Sequence, residues 1–306
     1  MRLFTKPLAI LLAAASLCVG LNNAHASTNE VEQRIFIYEE PTMKKFSQLY
    51  WAISRLNLDN TVHLDNFMMI NECEIYNDYF NHEFEWLQVR ESTKSYIEAN
   101  KKKFPLRFQF TQPLRLGEYD IGKKEFEVFE EYQIQNTRRF EVRASDSRLK
   151  ICGKREVIEG YPRGLMVELS RPFEFSSFAL EPEIANRFIS EKLERFKALN
   201  KNQQSRRGNV FMTRDAYLVM KVKVFASKGE VRTQEGEFIA HVLGVLEGIE
   251  IYSDQNKYNM IYEENFRKNR TRSPLEMQYI AEYEAEKAAH KKKATSQESL
   301  NQLKTE

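Results

Sequence analysis

The sequence predicts an α+β protein, in which an N-terminal helical region packs on a mainly antiparallel β-rich body. Apolar residues recur at helical spacing up to about position 104, and from Leu106 onward they alternate with polar residues. The predicted strands are short and separated by turn residues, whereas parallel neighbours need crossovers of a dozen residues or more. One inserted helix and a charged C-terminal helical tail complete the expected architecture.

These patterns divide the chain into four regions. Residues 1–26 are predicted to be a signal peptide, 27–104 a helical region, 105–265 a β-rich domain, and 266–306 a charged, partly disordered tail. Arg2 and Lys6 are the only charged residues of the signal region, so the remainder has no net charge. Nucleic-acid binding requires an excess of cations, so we expect no nucleic-acid partner.

The first 26 residues have the organisation of an export signal. A short basic segment precedes an apolar run over residues 7–21, and Ala24-His25-Ala26 supplies the small residues that signal peptidase accepts. We therefore expect cleavage before Ser27 and a periplasmic or secreted protein. Lipid attachment at Cys18 is disfavoured, because Leu17 stands where a small residue is needed. No later segment approaches about 20 uninterrupted apolar residues, so no integral membrane segment is expected.

Two cysteines remain after signal cleavage, Cys73 and Cys152. In an oxidising compartment, an even number of cysteines suggests a disulfide, and closing a loop of about 80 residues stabilises a fold by roughly 4 kcal/mol. The alternative is that each cysteine is simply a small buried apolar residue. The pattern leaves both interpretations open.

The helical region contains two amphipathic segments. The first follows Pro41-Thr42 and ends near residues 57–60, and the second begins near Asp65 and continues, straight or with a kink, through Ile97. If the second helix is continuous, one narrow stripe faces the core. The stripe consists of Met69, Cys73, Tyr76, Phe80, Phe84 and Leu87.

One candidate metal site lies on this second segment. Glu74, Asp78 and His82 follow each other at four-residue spacing, which places them on the face opposite the predicted core stripe. Charged residues on such a face are ordinarily solvated. These residues are therefore not predicted to bind a metal. The sequence also predicts no catalytic residue and no cofactor.

The β-rich region contains eight segments with strand character, residues 106–111, 126–129, 139–143, 149–152, 165–169, 173–180, 217–225 and 238–252. A helix beginning near Pro182 interrupts them, and residues 200–208 read as an exposed connection. The last two strands are predicted to pair, with the final one central because it is apolar on both faces. Between them, residues 226–237 are predicted to form a long, mobile or functional loop.

The predicted central strand carries the candidate ligand-binding residues His241, Gly244 and Gly248. The histidine shares a face with apolar neighbours, so it is either a neutral core residue bonded to a carbonyl or hydroxyl, or part of a site. Each glycine marks a bulge or a close approach by another backbone or by a ligand.

The tail has one clear structural signal. Ser273-Pro274-Leu275-Glu276 forms a capping box with proline at the first helical position. The helix that follows has few apolar residues, so we expect it to dock weakly or not at all, and to be available for a protein partner.

The sequence lacks the common catalytic motifs of hydrolases and nucleotide-binding enzymes. The first hypothesis is therefore an exported, non-catalytic envelope protein that binds a protein partner or a small ligand. A second is an unfamiliar periplasmic hydrolase acting on cell-wall or glycan material, with Glu118, Asp120 and His241 as candidate groups. A third is a chaperone-like module that offers a sheet edge to clients.

Overall fold

Helices occupy the first part of the chain and strands most of the remainder. The computed structural model describes residues 37–154, 157–207, 213–267, 271–282 and 285. The predicted signal peptide and the tail from residue 286 lie outside the described residues. The helices are α1 (Met43–Ala52), α2 (Thr61–Asn71), α3 (Cys73–Tyr79), α4 (Glu83–Asn100), α5 (Pro182–Lys197), α6 (Lys201–Arg207) and α7, which begins at residue 274.

The strands form one curled sheet. They are β1 (Arg107–Asp120), β2 (Glu125–Val128), β3 (Ile134–Arg143), β4 (Gly164–Phe175), β5 (Ser177–Ala179), β6 (Asp215–Arg232), β7 (Phe238–Tyr252) and β8 (Met260–Asn265). The strand order is β3-β4-β7-β6-β1-β2-β5, with β8 also paired to β7. Only β4 and β7 run parallel among the strand pairs of the described chain. The predicted α+β class is confirmed.

The ribbon of β6 and β7 forms the centre of this sheet. Leu218, Val222 and Val224 are fully buried, as the alternation predicts, and β7 is buried along most of its length. The prediction of a long loop over residues 226–237 was wrong, because β6 continues to Arg232 and a short turn follows. The pairing with β7 skips Phe225 and Lys228, and these bulges break the alternation from which a strand is recognised.

The helical layer packs, through aromatic contacts, on the face of the sheet that carries Phe108, which we call the inner face. The opposite face is the outer face. The ring of Phe46 on α1 meets that of Phe108 on β1 edge-on, with centroids 5.7 Å apart. The hydroxyl of Tyr50 donates to the carbonyl of Pro162 at 2.7 Å, and the indole N–H of Trp51 donates to the hydroxyl of Tyr161 at 3.0 Å. These bonds satisfy the polar ends of side chains whose bodies are buried.

The single helix predicted from Asp65 to Ile97 is in fact three helices. The chain leaves helical geometry at Glu72 and again over residues 80–82, so one helical wheel cannot describe the whole segment. Phe84 and Leu87, predicted for the core, are 81% and 57% exposed, and Trp86 is buried instead. Each break rotates the following helix and assigns a different set of residues to the core.

Two smaller predictions were also wrong. Residues 149–152 form no strand but a turn, closed by an isolated bridge between Ile151 and Lys154. The predicted connection over residues 200–208 contains α6. None of the helices in the described part of the chain combines the length and the apolar character that crossing a bilayer requires.

The start of the tail is more firmly held than expected. The backbone N–H of Ser273 donates to Glu276 Oε2 at 3.0 Å, and that of Glu276 donates to Ser273 Oγ at 3.2 Å, which confirms the capping box. Both residues are buried, and the ring of Tyr279 contacts Phe225 on β6. The first turns of α7 therefore pack on the outer face of the sheet.

Cys73 and Cys152 form a disulfide, with their Cα atoms 5.3 Å apart. Of the two interpretations left open by the sequence, the bond is the one that the structure shows. It joins the first residue of α3 to the turn that follows β3, across a sequence separation of 79 residues.

We expect the Cys73→Ala/Cys152→Ala variant to lose about 4 kcal/mol of unfolding free energy, because the unfolded chain regains the entropy of the open loop. Urea unfolding of the oxidised protein and of this variant measures the difference. A reductant should destabilise the wild type and leave the variant unchanged. Equal stability of all three samples would contradict the prediction.

Candidate functional site

Helices α1 to α4 enclose a groove of about 580 Å³. Its walls come from one face of each helix, and its floor includes Phe67 and Met68 of α2, which are both buried. The lining residues are Lys44, Gln48, Phe67, Met68, Asn71, Glu72, Ile75, Tyr79, Glu85, Gln88, Val89, Ser92, Thr93 and Tyr96. The volume lies within the range of about 300–1,000 Å³ that is typical of small-molecule sites.

The groove exposes apolar side chains that a closed helical layer would bury. Ile75 and Tyr79 on α3 are 39% and 44% exposed, and Tyr96 on α4 is 50% exposed. The lining combines these side chains and the buried floor with polar side chains such as Lys44 and Glu85. Exposed apolar surface with a polar rim is characteristic of binding sites.

Two anchors hold the helices that flank the groove. Asp65 of α2 accepts from the indole N–H of Trp86 at 2.9 Å and makes a two-point ion pair with Arg90, with both N···O distances at 2.6 Å. Hydrogen bonding to Asp65 raises the pKa of Arg90 above its ordinary value, against the opposing effect of burial. The disulfide at Cys73 holds α3. The groove is therefore set by fixed contacts between helices.

The charges at the groove rim are mainly acidic. Lys44 donates to the carbonyl of Asn71 at 3.1 Å and lies 3.6 Å from a carboxylate oxygen of Glu72, so its charge is locally balanced. Glu85 has no ion-pair partner among the described residues. The rim therefore offers an uncompensated carboxylate beside an apolar surface.

The predicted site residue His241 lies on the outer face of the sheet, away from this groove. It is 8% exposed, and its Nε2 lies 2.9 Å from Glu168 Oε2. That carboxylate also accepts from Arg139 at 3.1 Å and from Lys228 at 3.3 Å. The expected carbonyl or hydroxyl partner was wrong, because the parallel pairing of β4 with β7 brings a carboxylate to the histidine instead.

The pKa of Glu168 reflects these contacts. Burial raises it, but the hydrogen bond and charge of Lys228, together with His241 and Arg139, outweigh burial, and the pKa lies below its ordinary value. The four side chains join strands β3, β4, β6 and β7. Their arrangement is that of a structural ion cluster, and none of them lines the groove between α1 and α4.

The two predicted glycines permit close approach between strands. A Cβ on Gly244 would lie 2.8 Å from Val222 Cγ1, and one on Gly248 would lie 2.8 Å from the carbonyl oxygen of Glu264 in β8. Of the alternatives left open, the bulge applies to both glycines, since each lies at a register shift of the β6–β7 pairing. Gly248 also lies close to a neighbouring backbone, whereas the close neighbour of Gly244 is a side chain. None of His241, Gly244 and Gly248 lines the groove between α1 and α4, and their assignment to ligand binding stays a prediction.

Two of the groups named for a hydrolase, Asp120 and His241, lie at distant positions in the sheet. Asp120 accepts hydrogen bonds from the backbone N–H groups of Lys123 and Gly122. These bonds lower the pKa of Asp120, and the bond from Lys123 has the larger effect. Asp120 ends β1, five residues past the pair of Arg115 with Asp215, which is the first residue of β6. His241 pairs with Gly229, near the other end of β6. Fourteen residues of β6 separate these positions, roughly 45 Å along the strand.

The sequence also named Glu74, Asp78 and His82 as a weighed metal candidate. All three are exposed, and they lie on two elements, since His82 precedes the first turn of α4. Within the described residues, no group of three or more potential ligands is arranged to hold a metal ion.

A second, more polar cavity of about 380 Å³ lies beside α5. Lys192 is 3% exposed there and donates to the carbonyls of Asp215 and Ser253, the latter at 2.8 Å. Burial lowers the pKa of this lysine. Its bonds join α5 to the ends of β6 and β7, so we assign it a structural role that the sequence did not reveal.

Replacing Glu168 by Gln is expected to destabilise the protein by about 2 kcal/mol at neutral pH, because three donors lose a charged acceptor. A carboxyl group with a lowered folded-state pKa stabilises above its unfolded pKa of about 4.3 and loses that contribution as the pH falls further. The difference between wild type and E168Q should therefore shrink below about pH 4. Urea unfolding across pH 3–7 measures it.

Glu174→Gln provides the control, since this carboxylate is exposed on the same strand. Its effect should stay within about 0.5 kcal/mol at every pH. Equal effects of E168Q and E174Q would show that the ion cluster contributes nothing to stability.

No curated protein and no solved structure matches this chain. A family model described as a domain of unknown function, DUF4852, matches residues 59–191, a segment that begins just before α2 and ends within α5. The matched segment includes three of the four helices that line the groove.

Proposed function

We propose that this is an exported, non-catalytic binding protein that receives an apolar ligand group in the groove between α1 and α4. The groove itself carries the proposal: a cavity of about 580 Å³ whose apolar walls include the exposed Ile75, Tyr79 and Tyr96. Fixed contacts on both flanking helices support a binding role, because a preformed site loses little entropy on binding.

The hydrolase alternative has weaker support. Its candidate groups lie apart, and in the groove the hydroxyl of Thr93 is occupied, donating to the carbonyl of Val89 at 2.7 Å. The C-terminal helix is also a weaker candidate for partner binding than it was in the sequence, because its first turns pack on the sheet. The groove replaces it as the proposed binding surface.

Export is supported by two independent features. The N-terminal 26 residues have the pattern of a cleavable signal, and the disulfide between Cys73 and Cys152 is of a kind that persists in oxidising compartments. The periplasm is the proposed location, with full secretion as the alternative.

The groove is tested with N-phenyl-1-naphthylamine, a neutral apolar probe whose fluorescence rises on leaving water. We expect saturable binding to the wild type and about tenfold weaker binding to Ser92→Trp, because the indole fills the groove from an exposed position on α4. Fluorescence titration measures both dissociation constants.

Ser95→Trp is the matched control. Ser95 is exposed on the same helix but does not line the groove. This variant should bind the probe as the wild type does. Failure of the wild type to bind saturably, or equal weakening by both substitutions, would remove the groove from the proposed function.

The proposed export is tested by expressing the full chain in a Gram-negative host and measuring the intact mass of the periplasmic product. We expect a chain that begins at Ser27, and Ala26→Leu should block cleavage because signal peptidase requires a small residue there. A lipid-modified chain that begins at Cys18, or an unprocessed cytoplasmic one, would contradict this prediction.

A further inference from the structure

We infer that the occupant of the groove is a basic amphipathic helix of a partner protein. This inference rests on the proposed function and specifies the chemistry of the ligand. It is drawn from the shape of the groove and from the charges around it.

The groove has the length and walls that suit a helix. Its α4 wall follows one helical face from Glu85 to Tyr96, at positions spaced by three and four residues, which spans roughly 16 Å or three turns. The facing wall on α3 presents Ile75 and Tyr79, again one turn apart. Grooves between helices lined in this way accept the apolar face of another helix.

The charge of the surrounding surface indicates a positively charged partner. Between residues 72 and 91 the chain carries six acidic residues, Glu72, Glu74, Asp78, Glu83, Glu85 and Glu91, against the single cation Arg90. Arg90 is already paired with Asp65, Glu72 with Lys44, and Glu91 interacts with the charge of Lys94. Glu74, Asp78, Glu83 and Glu85 have no ion pair among the described residues. Carboxylates that are not paired within the protein complement the lysines and arginines of a basic helix.

The position of these acids relative to the groove strengthens the argument. Glu85 lies on the groove rim, and Glu74 and Asp78 are exposed on the helix that forms the opposite wall. A basic helix with its apolar face in the groove would bring its polar flanks to both rims. An acidic helix would meet repulsion at the same positions.

The test uses two labelled peptides and the full mature protein. One is the leucine/lysine peptide LKKLLKLLKKLLKL, and the other carries glutamate in place of every lysine. We expect fluorescence anisotropy to show saturable binding of the basic peptide, about tenfold tighter than that of the acidic one, because the carboxylates at the rims attract lysine and repel glutamate. The basic peptide should also displace N-phenyl-1-naphthylamine.

Charge-neutral variants locate the interaction. The variant Glu74→Gln/Asp78→Asn/Glu85→Gln should bind the basic peptide about tenfold more weakly while its affinity for the neutral probe stays unchanged. The matched control, Glu127→Gln/Glu131→Gln/Glu174→Gln, removes the same number of exposed carboxylates away from the groove and should behave as the wild type.

The outcomes separate this inference from the proposed function. If the neutral probe does not bind, the groove is not a binding site and both fail. If the probe binds but the two peptides bind equally, or the two triple variants lose the same affinity, the helical partner is wrong and the binding function stands. Displacement of the probe by dodecylamine but not by the basic peptide would likewise overturn the inference, in favour of a small cationic amphiphile.

Discussion

The burial of β7 on both faces is the constraint on which the rest of this structure depends. Ile239 and Val242 point to opposite faces of the sheet, and both are fully buried. A strand of this kind requires a cover on each side, which an antiparallel sheet with one wet face does not provide. The helical layer with α5 covers the inner face, and ion clusters with the start of α7 cover much of the outer one.

The bulges in the central ribbon determine how the outer face is covered. The pairing skips Glu247 in β7, and that side chain accepts from Arg107 at 2.7 Å and from the Tyr38 hydroxyl at 2.8 Å. Burial and this carboxylate raise the pKa of Tyr38. A second bulge, at Lys228, directs its ammonium group to Glu168. Each bulge thus turns a charged side chain toward a partner on the outer face.

The sequence predicted the features that depend on local periodicity. The alternation in residues 217–225, the two-sided apolar character of 238–252 and the capping box at Ser273 all correspond to what the structure contains. It did not predict the breaks at Glu72 and residues 80–82, because the apolar residues there fit one continuous helical wheel equally well.

Neither the ion cluster at Glu168 nor the groove could be predicted from the sequence, because both depend on contacts between distant segments. Glu168 and His241 meet only because β4 runs parallel to β7, a pairing between strands that are distant in the sequence. The groove likewise depends on how four helices are arranged, and its lining residues look individually like ordinary surface positions. Ile75 and Tyr79 could be recognised as exposed apolar residues only once α3 was known to be separate from α4.

The helices that flank the groove are held by separate contacts. α3 is joined by the disulfide to the turn at Cys152, whereas α4 is joined to α2 by the bonds of Asp65 to Trp86 and Arg90. The carboxylate of Asp65 is mostly buried, so displacing α4 from α2 would leave this charge without its partner, which is unfavourable. The exposed Ile75, Tyr79 and Tyr96 therefore lie on helices whose positions are set by contacts outside the groove. Both anchors lie within residues 59–191, so the segment that matches the family model contains the contacts that position the helices on either side of the groove.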